Sequence, residues 1–104
     1  MEALKTEYSK NTFDYSLVSR EQDVAIYSQT IPETGKTIAY EVFEVLKKPA
    51  FSLNGYGYPA KETVPSQEQW GKIAFTCYDL EGARVRQSKL LEQIAVRPPK
   101  VPSL

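Results

Sequence analysis

The side chains that most often carry enzyme chemistry are scarce in this chain. It has no histidine and a single cysteine, Cys77. Without histidine there is no Ser-His-Asp or Cys-His catalysis and no histidine-based metal site. One thiol cannot form a thiolate cage for zinc or for an iron–sulfur cluster. The sequence neighbours of Cys77 include Phe75 and Tyr78 and no cation, so we interpret it as a core residue. We therefore predict no catalytic residue, no metal site and no cofactor.

The remaining motifs with possible chemistry lack the context that such chemistry needs. Glu41 and Glu44 are three residues apart, which places them on opposite faces of a strand, so we interpret them as edge or rim charges. The "GYG" at 55–57 lacks the spacing and the strand–turn–helix context of a phosphate-binding loop. Tyr58 and Lys61 could form a proton-transfer pair, but nothing around them resembles a dinucleotide fold. Acid–base chemistry by a glutamate or a tyrosine is the catalytic alternative that remains.

Aromatic residues favour a binding function instead. Seven tyrosines, four phenylalanines and one tryptophan make up 12% of the chain. Tyrosine combines contact area with a hydrogen-bonding tip, which interfaces and ligand pockets often exploit. In "NGYGYP" (54–59) the flanking glycines offer the rings no packing partner. We predict that loop 51–72 is the binding surface, through Tyr56, Tyr58, Trp70 and Lys72. The alternative is a long connection that packs its own rings.

Three predicted strands open the domain that must position this loop. Residues 13–17 alternate apolar and polar side chains, residues 24–30 are rich in strand-forming types, and a turn leads into a strand over 37–46. This third strand is apolar on both faces, with Ile38, Tyr40, Val42 and Leu46 on one and Ala39, Phe43 and Val45 on the other. A single helix covers one face of a small sheet. The other face needs the long loop, the N-terminal segment or a second copy, and we predict a homodimer or higher oligomer.

The stretch between the third strand and the end of the loop is less regular. Residues 47–65 have no convincing period and are interpreted as a long loop. Ser66 and Gln69 resemble a capping box, which predicts a short helical turn that holds Trp70. Residues 66–75 show both alternation and helical spacing, so the sequence leaves helix and strand open there.

A strand over 72–78 and a helix over about 80–95 complete the predicted domain. Asp79 is a good N-cap for that helix. Its apolar stripe consists of Leu80, Ala83, Leu90, Leu91 and Ile94. The elements together predict an α+β fold: a two-layer domain in which one C-terminal helix packs on an antiparallel sheet of three or four strands.

The composition also predicts domain bounds and a location. We assign 1–11 to a flexible N-terminal segment, 12–96 to a single α+β domain and 97–104 to a proline-rich flexible tail. The solitary cysteine fits a reducing compartment. The first residues have no apolar core of a secretory signal, and no apolar run is long enough to cross a bilayer. We predict a cytoplasmic protein without membrane association.

A second function class uses the basic residues near the C-terminus. Within 81–104 the basic residues are Arg84, Arg86, Lys89, Arg97 and Lys100, and the acidic ones are Glu81 and Glu92. Arg84, Arg86 and Lys89 of the predicted helix and the basic tail that follows it, with ring stacking from the loop, could bind nucleic acid. Thirteen basic and thirteen acidic residues give the chain a net charge of zero, which argues against that alternative. A solvated helix face explains the same charges.

The chain resembles a group of small uncharacterised proteins found in bacterial phages, plasmids and mobile gene cassettes. The shared pattern is a Y-E-V strand, an acid-aromatic-Gly-Lys turn, and an aromatic strand that runs into a helix. It falls here on Tyr40, Glu41 and Val42, on Glu68, Trp70, Gly71 and Lys72, and on Phe75, Tyr78 and Leu80. The resemblance covers about residues 23 to 85. It implies origin in a mobile element of a bacterium and implies no activity. The partner that we predict for the loop is a host or phage protein or a small-molecule ligand.

Overall fold

The fold is an antiparallel sheet, a two-part β-hairpin and one helix. The computed structural model describes residues 1–97. Its elements in chain order are β1 (Glu7–Lys10), β2 (Phe13–Glu21), β3 (Val24–Ile31), β4 (Lys36–Glu44), β5 (Leu46–Lys48), β6 (Phe51–Leu53), β7 (Tyr56–Tyr58), β8 (Lys61–Thr63), a 3₁₀ turn (Gln67–Gln69), β9 (Ala74–Cys77) and α1 (Leu80–Ala95). The main sheet has the strand order β1-β2-β3-β4-β9, and every adjoining pair is antiparallel.

The α+β class and the C-terminal helix are confirmed, whereas the predicted number of strands, three or four, was too low. The main sheet has five strands. The additional strand, β1, lies inside the segment 1–11 that the sequence predicted as flexible. Only Tyr8 of its residues is partly buried, and the others are exposed. An edge strand with one inward side chain leaves no alternating apolar pattern to detect.

The helix covers one face of the sheet. Val24, Ile26 and Val42 are fully buried against Ala83 and Leu90 of α1. The predicted N-cap is confirmed, because the Asp79 carboxylate accepts a hydrogen bond from the Gly82 amide at 2.5 Å. That bond satisfies one of the amides that the first helical turn leaves without a partner.

The helix also buries a polar residue that the apolar stripe did not include. Gln87 lies in the core, where its Nε2 donates to the Val24 carbonyl at 3.1 Å. Burial of an amide is tolerable when it is hydrogen-bonded. Helical spacing places Gln87 between Ala83 and Leu90, but the residue type gave no reason to expect it inside.

The opposite face of the sheet is covered by the chain itself. Its buried residues include Tyr15, Tyr27 and Phe43, with the Tyr27 and Phe43 rings stacked at 5.5 Å. The residues packed against them from outside are Leu4, Tyr8, Phe13, Leu17, Val64 and Trp70. The sequence allowed three covers for this face: the long loop, the N-terminal segment and a second copy. The first two of them cover it in the structure. The two-sided apolar strand therefore no longer requires a second copy.

Residues 2–5 form a strap that ties the N-terminal segment to β8. The Glu2 amide donates to the Ala60 carbonyl, and the Glu62 amide donates to the Glu2 carbonyl, both at 2.8 Å. The Tyr27 hydroxyl donates to the Lys5 carbonyl at 2.7 Å. These bonds hold the strap across the aromatic face of the sheet.

The prediction of an irregular loop over 47–65 is wrong. β5 pairs with β8, and β6 pairs with β7, so the chain runs out and back as one hairpin with a break between its two halves. We call residues 46–63 the arm. Asn54 and Gly55 at its tip both have positive φ, of 51° and 80°. That is the backbone of the type I′ turn, whose twist suits a two-residue hairpin.

The region that the sequence left open between helix and strand contains both. The short helical turn that holds Trp70 is confirmed as the 3₁₀ turn, with Trp70 as its C-cap residue, and β9 follows. The capping box is wrong, because the Ser66 side chain makes no cap hydrogen bond. A turn of three residues with i to i+3 bonds is too short to need one. No helix within residues 1–97 is long and apolar enough to cross a membrane.

Candidate functional site

The helix-free face of the sheet carries a cavity of about 410 Å³. Its lining comes from four separated parts of the chain: the β1–β2 hairpin, β4, the residue after β8, and the 3₁₀ turn. The lining residues are Tyr8, Lys10, Asn11, Tyr15, Glu41, Val64, Gln67 and Trp70. A volume of this size suits a small organic molecule or one large side chain.

Two tyrosines from adjacent strands form part of the cavity wall. Tyr8 and Tyr15 are directly opposite each other in the β1–β2 register, and their rings stack at 4.9 Å with 14° between planes. The Tyr15 hydroxyl accepts a hydrogen bond from Gln29 Nε2 at 3.0 Å. Burial is the main cause that raises the pKa of both hydroxyls, and the Glu41 charge adds to it. Both phenols therefore stay protonated at neutral pH.

Glu41 is the acidic group of the cavity. It lies in β4, which has β3 on one side and β9 on the other, so it is neither at an edge nor at a rim. Burial raises the pKa of the Glu41 carboxyl, and the charge of Lys10 partly offsets that effect. Among residues 1–97 no side chain lies within ion-pair distance of Glu41.

The interpretation of Glu44 as an edge or rim charge is also wrong. Its side chain is buried at the end of β4 and accepts two hydrogen bonds from Arg97, at 2.6 and 2.9 Å. A paired carboxylate of this kind tolerates burial, because the guanidinium replaces water. The two glutamates of "EVFE" therefore differ: Glu44 forms an ion pair with Arg97, whereas Glu41 forms none within residues 1–97.

The predicted binding residues divide between two places. Trp70 lines the cavity, packs on the aromatic core and donates from Nε1 to the Thr76 hydroxyl at 3.1 Å. Tyr56 and Tyr58 lie on the arm. Lys72 is exposed in the turn that leads to β9 and does not line the cavity. The structure therefore separates Trp70 from the tyrosines with which the sequence grouped it.

The tip of the arm presents an apolar face. Phe51 lies opposite Tyr58 and Leu53 lies opposite Tyr56, so all four side chains share one face of the ribbon. They are 46% to 69% exposed. Phe51 and Tyr58 stack on each other at 4.7 Å. The other face of the ribbon carries only the small residues at 52 and 57.

Sequence reasoning missed Phe51 and Leu53, although a signal was present. The dipeptide Asn54-Gly55 between alternating apolar residues is the strongest short hairpin pattern. Applied to 51–58, it places Phe51 and Leu53 on the same face as the two tyrosines. The alternative to a binding loop was a connection that packs its own rings. The structure shows such packing in part, because Phe51 stacks on Tyr58, but about half of each ring remains exposed.

The residues of the nucleic-acid alternative lie on α1. The Arg86 guanidinium sits over the Phe75 ring, 4.0 Å from its centroid, which is a cation–π contact. Arg84 and Lys89 are exposed. Lys89 and Arg86 share a shallow hollow with Asp79 and Glu81, which offset their charge. The part of the basic tail from 98 to 104 lies outside the described residues.

A thiol nucleophile and a metal centre have no support among the described residues. Cys77 is half-buried rather than fully inside the core, and burial raises the pKa of its thiol although Arg86 is near. A protonated thiol is a poor nucleophile and a poor metal ligand. Within residues 1–97 no group of three Cys, Asp or Glu side chains is arranged to hold a metal ion.

Comparison with known proteins identifies no relative. No family model matches the chain, no curated protein is significantly similar to it, and no solved structure shares its fold at a significant level.

Proposed function

We propose that this protein is a non-catalytic interaction module that self-associates through the tip of its arm. The observation that supports this most directly is the shared exposed face of Phe51, Leu53, Tyr56 and Tyr58. Every residue from 51 to 59 is exposed. A contiguous exposed apolar patch is typical of an interaction site.

The arm lacks the packing that would explain its apolar side chains within one copy. Among the described elements, β6 and β7 make substantial contact only with each other. A two-stranded ribbon without further cover is marginally stable in water. Its two outer edges also carry backbone groups that no strand of the described chain pairs. A partner that covers the apolar face or an edge would stabilise the arm.

The charge distribution favours a second copy as that partner. Residues 49–60 contain no charged side chain. A neutral patch can meet its own copy across a two-fold axis without repulsion, as an isologous interface requires. Nucleic acid would require cations at the tip, whereas the lysines of the arm, among them Lys48 and Lys61, lie in β5 and β8 at its base.

The exposed area predicts a weak dimer. Four large side chains that are about half exposed offer roughly 400 Å² per copy, or about 800 Å² in total. Specific stable interfaces bury about 1,200 to 2,000 Å². We therefore expect a dimer with a dissociation constant in the micromolar range, which forms on concentration and dissociates on dilution.

Sedimentation velocity over a concentration series tests the proposal. The wild-type mass should rise from one copy to two between about 1 and 500 µM, in the range that a micromolar dissociation constant implies. The variant Tyr56→Ser/Tyr58→Ser should remain a monomer throughout. Tyr78→Ser is the matched control, because Tyr78 is an 80% exposed tyrosine outside the arm, and it should behave as the wild type.

Three outcomes would overturn the proposal. The wild type could remain a monomer at every concentration, the arm variant could dimerise as the wild type does, or Tyr78→Ser could abolish the dimer as well. Retention of a monomeric wild type on single-stranded DNA at low salt would favour the nucleic-acid alternative. Circular dichroism of each variant checks that the sheet and the helix remain folded.

A further inference from the structure

We propose that the cavity on the helix-free face binds the ammonium group of a small organic cation, held between Glu41 and the rings of Tyr8, Tyr15 and Trp70. This site is separate from the arm and does not depend on self-association. The residues that carry it come from β1, β2, β4 and the end of the 3₁₀ turn.

Glu41 gives the cavity a carboxylate that can attract a cation. Glu41 is half-buried in an interior strand, faces the cavity and has no ion-pair partner within residues 1–97. The two other glutamates that the fold shields strongly are paired, Glu44 with Arg97 and Glu62 with Arg20. A partly desolvated carboxylate without an ion-pair partner among the described residues provides favourable electrostatics for a cation from solution.

Aromatic rings form the remainder of the proposed binding site. Tyr8, Tyr15 and Trp70 line the same cavity as Glu41. The negative faces of aromatic rings attract cations and recognise quaternary ammonium groups. The Glu41 carboxylate would add the attraction between opposite charges. The stacking of Tyr8 on Tyr15 and the Trp70–Thr76 hydrogen bond fix ring positions before a ligand arrives. Side chains that are already ordered lose less entropy on binding.

Lys10 distinguishes a cationic ligand from an anionic one. It lines the cavity at the β1–β2 turn, and its charge acts on Glu41 without forming an ion pair. For a cation, Lys10 is a repulsive charge that weakens binding. For an anion, Lys10 would be the principal attraction, and Glu41 would oppose binding. Substitution of Lys10 therefore has opposite effects in the two cases.

Choline and its neutral analogue, in which carbon replaces the nitrogen, are the probes. The two molecules have almost the same shape and differ in charge. Trp70 is the only tryptophan of the chain and lines the cavity, so its fluorescence reports binding directly. We expect choline to change the Trp70 emission in a saturable manner, and the neutral analogue to bind at least about tenfold more weakly.

Two substitutions complete the test. Glu41→Gln keeps the shape of the side chain and should weaken choline binding about tenfold, while Lys10→Gln should strengthen it about threefold. Nuclear Overhauser contacts from the choline methyl groups to the rings of Tyr8 and Trp70 would locate the ligand. Glu41→Gln removes a charge that has no ion-pair partner in the described part of the chain, so this variant should fold.

Opposite results would overturn the proposal. Equal binding of choline and its neutral analogue would show that charge is not recognised. Unchanged choline binding by Glu41→Gln would remove the role of the carboxylate. Weaker choline binding by Lys10→Gln would show that Lys10 does not repel the ligand, and no saturable binding of choline by the wild type would remove the site altogether.

Discussion

Glu62 is the point at which the arm, the strap and the main sheet meet, and its removal should loosen all three. Its carboxylate accepts two hydrogen bonds from Arg20 of β2, both at 2.6 Å. It also accepts one from the Leu4 amide at 3.2 Å. The change Glu62→Gln preserves the size of the side chain and removes the charge that holds Arg20.

The structure sets an upper limit on the effect. Hydrogen bonds from Arg20 are the main cause that lowers the pKa of Glu62 from 4.5 to about 2. A depression of that size corresponds to at most about 3 to 4 kcal/mol of stabilisation. The Arg20 side chain is 28% exposed and that of Glu62 is 10% exposed. Because solvent screens part of the interaction, we expect Glu62→Gln to lower the free energy of unfolding by about 1 to 2 kcal/mol at pH 7.

The effect should depend on pH with a definite sign. The pKa of Glu62 is lower in the folded state, so the ionised carboxylate stabilises the fold above its unfolded pKa. As pH falls from about 5 towards 2, Glu62 takes up a proton and the stabilisation is lost. The difference between the wild type and Glu62→Gln should therefore shrink over that range and nearly vanish at its acid end.

Urea denaturation followed by circular dichroism at several pH values between 2 and 7 measures this difference. Glu68→Gln is the control, because Glu68 is exposed and makes no ion pair among the described residues. A loss below about 0.5 kcal/mol at pH 7, the size typical of a surface pair, would refute the reasoning. A loss that stays constant down to pH 2 would refute the assignment to the ionised carboxylate.

Three further predictions concern the cavity, the arm and the helix. Glu41→Gln should raise the thermal midpoint at pH 7, because burial raises the pKa of Glu41 and disfavours its charged form in the fold. The gain should fade as pH falls through the folded pKa of Glu41 and be absent below its unfolded value, and thermal scans at pH 7 and pH 4 check it. Gly55→Ala should destabilise the turn by about 1 kcal/mol, since φ there is 80°, and should speed amide exchange in β6 and β7 about fivefold. Asp79→Ala should cost about 1 kcal/mol through the lost N-cap bond, as measured by urea denaturation.

The elements that the sequence predicted best are those specified by local signals. The helix begins at Leu80 and ends at Ala95, as Asp79 and the apolar stripe indicated. The two apolar faces of β4 are also as predicted, with Val42 towards the helix and Phe43 towards the aromatic face. The sequence did not predict β1, because this strand is specified by its pairing with β2 and not by an alternation of apolar and polar residues.

The candidate site was harder to predict for a related reason. Of the cavity lining, the sequence identified Trp70 alone as a binding residue. Tyr8, Tyr15 and Glu41 come from three different strands, and their proximity follows from strand order and register, which no local pattern encodes. Glu41 was misinterpreted because position within a strand does not reveal whether that strand is at the edge or inside the sheet.

The strap has a consequence for the order in which the molecule folds. Leu4 and Glu62 are 58 positions apart along the chain, whereas β2, β3 and β4 follow one another as hairpins. Contacts between residues that are far apart in the sequence carry a larger entropic cost. The hairpins of β2, β3 and β4 should therefore form before the strap docks. Tyr8 and Val64 both line the cavity, and they follow Leu4 and Glu62 closely in the sequence. They would therefore come together late, when the strap docks on the base of the arm. The cavity would thus be completed after the core that supports it, whereas the tip of the arm, where β6 and β7 contact mainly each other, forms from local pairing.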